Sequence, residues 1–214
     1  MLTPMSSKPR ILLCASGSVA TVKVPELALK LAAFAEVKLV VTKAGAFFLD
    51  KVEDYNPLVW SAFVAKSKAH GKPMREEGGD IEIIRDEHEW DAWKVVGDKV
   101  LHIELKDWAD VIVMAPVSAN TMAKIANGLS DNLLTCIARA WSVKKPFFYA
   151  PAMNTDMWDH PVTARHVQTL TEFGYQMIPP VEKMLACGVV GVGGLAAVDD
   201  IVQLMKEKLL STNN

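Results

Sequence analysis

Four short apolar runs, separated by segments with helical spacing, set the strongest constraint on how this chain can fold. They are Ile11–Ala15, Val37–Thr42, Val111–Ala115 and Phe147–Ala150, and a weaker fifth run is Gln176–Ile178. A strand that is apolar on both faces must be buried on both faces, which is typical of a parallel sheet covered by helices. The pattern therefore predicts an α/β fold, a doubly wound parallel sheet in three layers that is flavodoxin- or Rossmann-like.

The segments that follow these runs carry the signals of helices. Helices are predicted over Asn120–Ala126, Asp131–Trp141, His160–Phe173 and Asp199–Leu210. We expect Asp159 to cap the third of them, because its side chain can accept from free backbone N–H groups. Gly174 is expected to end the same helix, because glycine readily adopts the left-handed conformation found after many helices.

The stretch Asp54–Asp86 breaks this alternation. It contains KSKAHGKP and REEGGD, which are rich in charge and glycine. Such a composition is typical of an exposed segment that buries little apolar surface. We therefore interpret residues 1–214 as a single domain with an inserted surface excursion at about 54–86.

Composition excludes several classes of partner. The 214 residues carry a net charge of −2, so neither nucleic acid nor an anionic membrane surface is an expected partner. No apolar run is long enough to span a membrane, and the first residues show no secretory signal. The three cysteines, Cys14, Cys136 and Cys187, are too few and odd in number for a disulfide framework. These features favour a cytoplasmic protein.

The carboxyl ends of the predicted strands are where a ligand is expected in such a fold. The first of these loops is Ser16-Gly17-Ser18, which leads into a helix and can present backbone N–H groups to a phosphate. Its spacing is not GxGxxG, so a mononucleotide such as FMN suits it better than a dinucleotide. The alternative is an ordinary tight turn with serine caps.

A second strand-end loop, Pro116–Thr121, reads PVSANT. Ser118, Asn120 and Thr121 are small hydrogen-bonding residues that suit a ribityl chain or the edge of a ring. The equally simple alternative is that Ser118 is the N-cap of the next helix.

His102 differs from the other four histidines. It lies in LHIELKDWAD, beside an apolar helix face formed by Leu101, Leu105 and Trp108. A titratable group at the margin of a core can act as a general base near neutral pH. The alternative is a histidine on a helix surface.

Cys187 lies in LACGVVGVGGLAA, where glycines are dense. We interpret residues 184–197 as a mobile flap that delivers an acid or a nucleophile to the site. The alternative is a linker before the C-terminal helix.

Taken together, these segments resemble the phosphopantothenoylcysteine decarboxylases, which belong to the homo-oligomeric flavin-containing cysteine decarboxylases. The most specific match is the PAMN…MW loop at Pro151–Trp158, an apolar loop with a single amide, Asn154. The other matching segments are Ala15–Ala20, Val100–Ala109, Ala115–Lys124, Asp131–Trp141 and Ala186–Gly188.

The resemblance implies a flavodoxin-like fold, bound FMN, and a homotrimer with active sites between subunits. It also implies a reaction in coenzyme A biosynthesis. FMN oxidises the thiol of 4′-phosphopantothenoylcysteine to a thioaldehyde, carbon dioxide leaves, and reduced FMN then returns the hydride to give 4′-phosphopantetheine.

Roles for individual residues follow from the same resemblance. His102 is the implied base, Cys187 the acid that protonates the enethiol, and Asn154 the donor to the substrate carboxylate. The residues implied in FMN binding are Gly17, Ser18, Val19, Thr42, Lys43, Ser118, Ala119, Asn120, Thr121 and Ala152. Those implied in substrate binding are Met153, Asn154, Ala186 and Leu195, and no metal site is expected.

The flap departs from the family pattern, because Val189, Leu195 and Ala197 replace an acidic residue, a methionine and a glutamate. Three alternative functions remain open at this point. A regulatory flavoprotein that inhibits a protein phosphatase usually carries a long acidic tail, which this sequence lacks. A peptidyl-cysteine decarboxylase does not need Cys187, and an electron-transfer flavoprotein needs neither His102 nor Asn154.

Overall fold

The structure, a computed structural model, describes residues 8–71, 81–91, 93–184, 188 and 190–210. Its strands are β1 (Arg10–Ala15), β2 (Glu36–Val41), β3 (Ser67–Ala69), β4 (Ile81–Arg85), β5 (Val111–Val117), β6 (Phe147–Pro151), β7 (Gln176–Met177), β8 (Val181–Met184) and β9 (Val190–Gly194). The first seven form one sheet in the order β3-β4-β2-β1-β5-β6-β7, with parallel pairing throughout. The predicted parallel sheet is confirmed, and β8 and β9 form a separate antiparallel pair.

The centre of the sheet is β1, which pairs with β2 on one side and with β5 on the other. The chain runs outward from β1 through β2 and later returns to the opposite side at β5. The direction of winding therefore reverses between β1 and β5. The loops that follow these two strands diverge, and they leave a crevice at the carboxyl edge where ligands of such folds bind.

Helices precede or follow most of the strands. They are α1 (Val24–Ala32), α2 (Lys43–Leu49), α3 (Val52–Tyr55), α4 (Pro57–Ala65), α5 (Glu87–Asp91), α6 (Leu101–Trp108), α7 (Ala119–Ala126), α8 (Leu133–Ala140), α9 (Thr155–Asp159), α10 (Pro161–Glu172) and α11 (Val198–Leu210), and a 3-10 helix spans Val19–Lys23. Within the described part of the chain, no helix is both long and apolar enough to cross a membrane.

The side chains of β1 show how the helices cover both faces of the sheet. Ile11 and Leu13 lie in one buried cluster with side chains of α1, α4 and α11. Leu12 and Cys14 lie in a second cluster with side chains of α6, α7, α8 and α10. Successive residues of a strand point to opposite faces, so an all-apolar strand supplies both clusters. This confirms the predicted three layers.

The prediction of a surface excursion at 54–86 is wrong for much of that stretch. It contains α4, and it contains β3 and β4, which extend the sheet beyond β2. The sequence PLVWSAFVA of α4 is apolar almost all round, so it shows no helical periodicity, and β4 carries Glu82 and ends in Arg85 like a surface segment. Residues 72–80 lie outside the described residues.

Two local predictions are also corrected. Strand β5 does not end before Pro116 but continues to Val117, with a cis peptide bond before the proline. The register with β6 shifts at this point, which accommodates a residue that has no N–H to donate.

Helix α10 is capped by His160 and not by Asp159, because the His160 side chain accepts from the N–H of Val162. Gly174, at φ +82°, follows this helix as predicted.

We expect Phe63→Ala to show that α4 belongs to the core. The Phe63 side chain is 0% exposed, and truncating a buried phenylalanine costs about 3–5 kcal/mol of unfolding free energy. Leu58, on the same helix, is 84% exposed, and Leu58→Ala should change stability by less than about 0.5 kcal/mol. Urea unfolding of both variants gives the comparison. Equal, small effects would mean that α4 is not part of the cooperative core.

Candidate functional site

A cavity of about 1130 Å³ lies at the carboxyl edge of the central strands. It is lined by the loops after β1, β2, β5 and β6, which are the four loops that the strand-end rule selects. Of the residues predicted for the site, those that line it are Gly17, Ser18, Val19, Thr42, Lys43, Ser118, Ala119, Asn120, Thr121, Ala152, Met153, Asn154 and Leu195. His102 does not line it, and Ala186 and Cys187 lie outside the described residues.

A fully buried hydroxyl joins the ends of β1 and β5. The Oγ atom of Ser16 accepts from the backbone N–H of Ser118 at 2.8 Å, and the carbonyl of Ser16 accepts from the Thr21 hydroxyl at 2.9 Å. A buried hydroxyl is costly unless it is hydrogen-bonded, so this link holds the first and third loops in register. The sequence predicts that Ser16 belongs to a phosphate-binding turn or to a serine-capped turn, and it does not predict the hydrogen bond to Ser118.

The backbone at Gly17 packs closely against Ala44 of α2. A Cβ atom at Gly17 would lie 2.6 Å from the Cβ of Ala44, at the start of α2, so no other residue fits without movement. Ser18 then caps the 3-10 helix by accepting from the N–H of Ala20 at 3.3 Å. Its hydroxyl also donates to the carbonyl of Ala152 at 3.0 Å, which ties the first loop to the fourth.

The strand-end hydroxyls of Ser118 and Thr42 cap helices and also lie at the cavity wall. Ser118 caps α7, because its Oγ accepts from the N–H of Thr121, and Thr42 caps α2 by accepting from the N–H of Gly45. The same two residues line the cavity. Two helices therefore begin at the cavity wall, and the positive ends of their dipoles favour electron-rich or anionic groups there.

Asp86 and Lys183 are two of the polar residues that line the cavity and were not predicted. The carboxylate of Asp86 accepts from the N–H groups of Lys43 and Leu133, at the first residues of α2 and α8, and burial raises its pKa. Lys183 donates to the carbonyl of Leu195 at 2.8 Å, and burial lowers its pKa. Asp86 follows β4 directly, so the strand-end rule would have selected it if β4 had been recognised. No sequence signal identifies Lys183.

The PAMN loop ends in a helix cap. The side chain of Asn154 accepts from the N–H of Asp156 at 2.8 Å, at the start of α9. This bond holds the carbonyl end of the amide toward the helix, so the NH₂ end is the one that can donate to a ligand. Ala152, Met153 and Met157 give the same side of the cavity an apolar surface.

The strand pair β8–β9 lies across this loop. The N–H of Met153 donates to the carbonyl of Gly193 at 2.9 Å. Gly193 has φ +136°, and a Cβ atom there would lie 2.4 Å from the carbonyl oxygen of Met153, so both conformation and space require glycine. Leu195, which follows β9, is buried against the cavity. The predicted flap is thus anchored to the PAMN loop on its β9 side.

His102 lies on α6 and does not line the cavity of its own chain. Its Nδ1 atom is 2.6 Å from Oε1 of Glu89, a residue that sequence analysis did not select. The same region, 90–103, exposes six apolar side chains, those of Trp90, Trp93, Val95, Val96, Val100 and Ile103. Exposed apolar side chains so close in sequence are typical of a protein–protein contact.

The cavity can therefore hold an elongated ligand of mixed character. Tight turns and helix starts at one side suit a phosphate, the serine and threonine hydroxyls suit a polyol, and the apolar loop at the other side suits a planar ring.

Comparison with known proteins agrees with this arrangement. The family model described as Flavoprotein matches residues 2–210. A phosphopantothenoylcysteine decarboxylase of rice, Oryza sativa subsp. japonica, is 45% identical over 215 residues, which cover 99% of this chain and 87% of the rice protein.

Two solved structures are similar along nearly their whole length. One is a Cys→Ser mutant of PPC decarboxylase complexed with pantothenoylaminoethenethiol, with TM-score 0.79 and 47% identity over 93% of this chain and 97% of that chain. The other is the FMN-binding protein AtHal3, with TM-score 0.79 and 46% identity over 97% of this chain and 100% of that chain. The chain therefore belongs to the flavoprotein family, and within it to the phosphopantothenoylcysteine decarboxylases.

Proposed function

We propose that this protein is a carboxy-lyase that uses FMN to convert 4′-phosphopantothenoylcysteine into 4′-phosphopantetheine and carbon dioxide, a step of coenzyme A biosynthesis. The observation that carries the proposal is that the SGS turn, the SANT loop and the PAMN loop meet in one cavity. The names of the similar proteins support this function over a phosphatase regulator, a peptidyl-cysteine decarboxylase or an electron carrier. The cytoplasm is the proposed compartment, supported by the free thiols of Cys14 and Cys136.

The residues of the cavity fit FMN. Gly17, Ser18 and Val19 would hold the phosphate at the start of the 3-10 helix, because the first turn of a helix favours an anionic group. The loop from Ser118 to Thr121 would hold the ribityl chain and the ring edge, and Ala152 and Met153 would pack on the ring. When bound, FMN supplies a two-electron acceptor that takes a hydride and later returns it.

Asn154 and its apolar neighbours act on the substrate carboxylate in this proposal. The NH₂ group of Asn154 donates to the carboxylate and orients it. Met153, Met157 and Leu195 surround it with apolar side chains, which stabilise a negative charge less well than water does. When carbon dioxide leaves as a neutral molecule, the electron pair of the broken bond passes to the thioaldehyde, so the negative charge moves from the carboxylate to the sulfur of the resulting enethiolate.

His102 is the proposed base at the cysteine unit, and it acts on the cavity of a neighbouring subunit. Two observations support a homotrimer with sites between subunits. His102 does not line the cavity of its own chain. It also belongs to segment 90–103, which carries several exposed apolar side chains. A contact between subunits through this segment would bury those side chains and bring His102 to a second chain.

Cys187 is the proposed acid that protonates the enethiol before hydride return. Support comes from β9, which holds the flap to the PAMN loop through Met153 and Gly193. A thiol is a much stronger acid than a serine hydroxyl and can donate a proton near neutral pH.

The function is tested by turnover of the reconstituted enzyme. Apoprotein should take up FMN, and the loaded protein should release carbon dioxide and form 4′-phosphopantetheine in equal amounts from 4′-phosphopantothenoylcysteine. A peptide that ends in cysteine should not react. The proposal fails if the apoprotein takes up no flavin, or if the loaded protein releases no carbon dioxide from this substrate.

Asn154→Asp should abolish decarboxylation and leave the fold intact. The aspartate can still accept from the N–H of Asp156 and cap α9, but it repels the substrate carboxylate and cannot donate to it. Loss of such a donor lowers turnover by at least ~10²-fold. The matched control is Asn56→Asp, the same change at the N-cap of α4 outside the cavity, which should turn over normally. Normal turnover of Asn154→Asp would show that the amide does not bind the carboxylate.

Mixed oligomers test whether His102 serves a neighbouring subunit. His102→Asn and Asn154→Asp subunits should each be inactive alone. In randomly mixed trimers, about a quarter of the sites would combine an intact His102 with an intact Asn154 from the adjacent chain. We expect about that fraction of wild-type carbon dioxide release. No recovery in mixed oligomers, with mixing verified by native mass spectrometry, would place His102 and Asn154 of one site in the same chain.

A further inference from the structure

The carboxylate of Glu89 is the partner of His102. We propose that Glu89 is a positioning residue, which fixes the tautomer and the orientation of the His102 ring so that Nε2 is the atom that accepts a proton. This inference rests on the proposed role of His102 as a base.

Both carboxylate oxygens of Glu89 are hydrogen-bonded to His102. Oε1 lies 2.6 Å from Nδ1 of His102, and Oε2 accepts from the backbone N–H of His102 at 3.0 Å. The Glu89 side chain is only 8% exposed, whereas the His102 side chain is 24% exposed. A carboxylate is costly to bury unless its oxygens are hydrogen-bonded, and here His102 supplies a partner for each oxygen.

Helix capping explains one of these two bonds but not the other. Helix α6 starts at Leu101, and its N-cap residue, Val100, gives no side-chain hydrogen bond. The N–H of His102 is one of the free donors of the first turn, and Oε2 of Glu89 satisfies it. The bond from Oε1 to the ring of His102 contributes nothing to the cap, so a second role is required to account for it.

The bond to the ring has a chemical consequence. An ionised carboxylate can only accept hydrogen bonds, so Nδ1 of His102 must carry the proton of the neutral ring. Nε2, at the other end of the ring, then keeps its lone pair and can accept a proton from a substrate. The carboxylate also compensates the positive charge that the ring acquires in that step.

The substitution Glu89→Gln tests the two hydrogen bonds separately, because it keeps the bond that caps α6 and changes the bond to the ring. The backbone N–H of His102 is always a donor, so the glutamine oxygen is drawn to it and the cap is kept. The glutamine NH₂ group then faces Nδ1, which must become an acceptor, and the ring proton moves to Nε2. A ring in that tautomer cannot act as the base.

We expect Glu89→Gln to lower carbon dioxide release by about 10²–10⁴-fold, the usual contribution of a general base, with FMN uptake and unfolding free energy near those of the wild type. The matched control is Glu87→Gln, the same charge change at an exposed site on the same helix, which should be fully active. Wild-type turnover of Glu89→Gln would overturn the proposal.

Nitrogen-15 NMR of the histidine rings gives a second readout, the tautomer of His102. This readout would not change if Glu89 had only a structural role. The His102 signals are assigned by their loss in His102→Asn. In the neutral wild-type ring the proton should be on Nδ1, and in Glu89→Gln on Nε2. A wild-type ring with its proton on Nε2 contradicts the proposal even if Glu89→Gln fails to fold. If the wild-type protein does not decarboxylate, the proposed function fails, whereas the tautomer still tests the role of Glu89.

Discussion

The hydrogen bond from the N–H of Ser118 to the buried hydroxyl of Ser16 is the contact on which the site depends. It lies where the winding of the sheet reverses, between β1 and β5, and it joins two loops that would otherwise diverge. Two further hydrogen bonds involve the same two loops. Ser18 binds the carbonyl of Ala152, and Ser118 caps α7. One buried hydroxyl thus links the SGS turn directly to the SANT loop.

The cavity is polar on one side and apolar on the other, and different elements supply the two sides. Helix starts and their caps give the polar side, where the dipoles of α2 and α7 favour anionic groups. The PAMN loop and Leu195 give the apolar side, and β9 holds that side in place through Gly193. The cavity therefore offers separate environments to an anionic group and to an apolar ring, and a negative charge on the apolar side is the least stabilised.

Sequence alone predicts those parts that follow from local patterns. Strands such as β1 are apolar on both faces, and the rule for strand ends then selects the cavity loops without any knowledge of contacts. Prediction from sequence fails where the local pattern is absent, because α4 is apolar all round and β4 carries Glu82. It also fails for pairs distant in sequence. Glu89 lies in the charged run RDEHEW, which reads as a solvated surface, and only the packing of α5 against α6 reveals its contact with His102.

We infer that the cavity at the carboxyl edge of β1 and β5 holds FMN and that a neighbouring subunit completes each site. A crystal structure of the FMN-loaded protein is the most direct test. We expect the phosphate at Gly17–Val19, the ring against Met153, and His102 of a neighbouring chain near the ring. Flavin bound elsewhere, or a ring that no neighbouring subunit approaches, would contradict it.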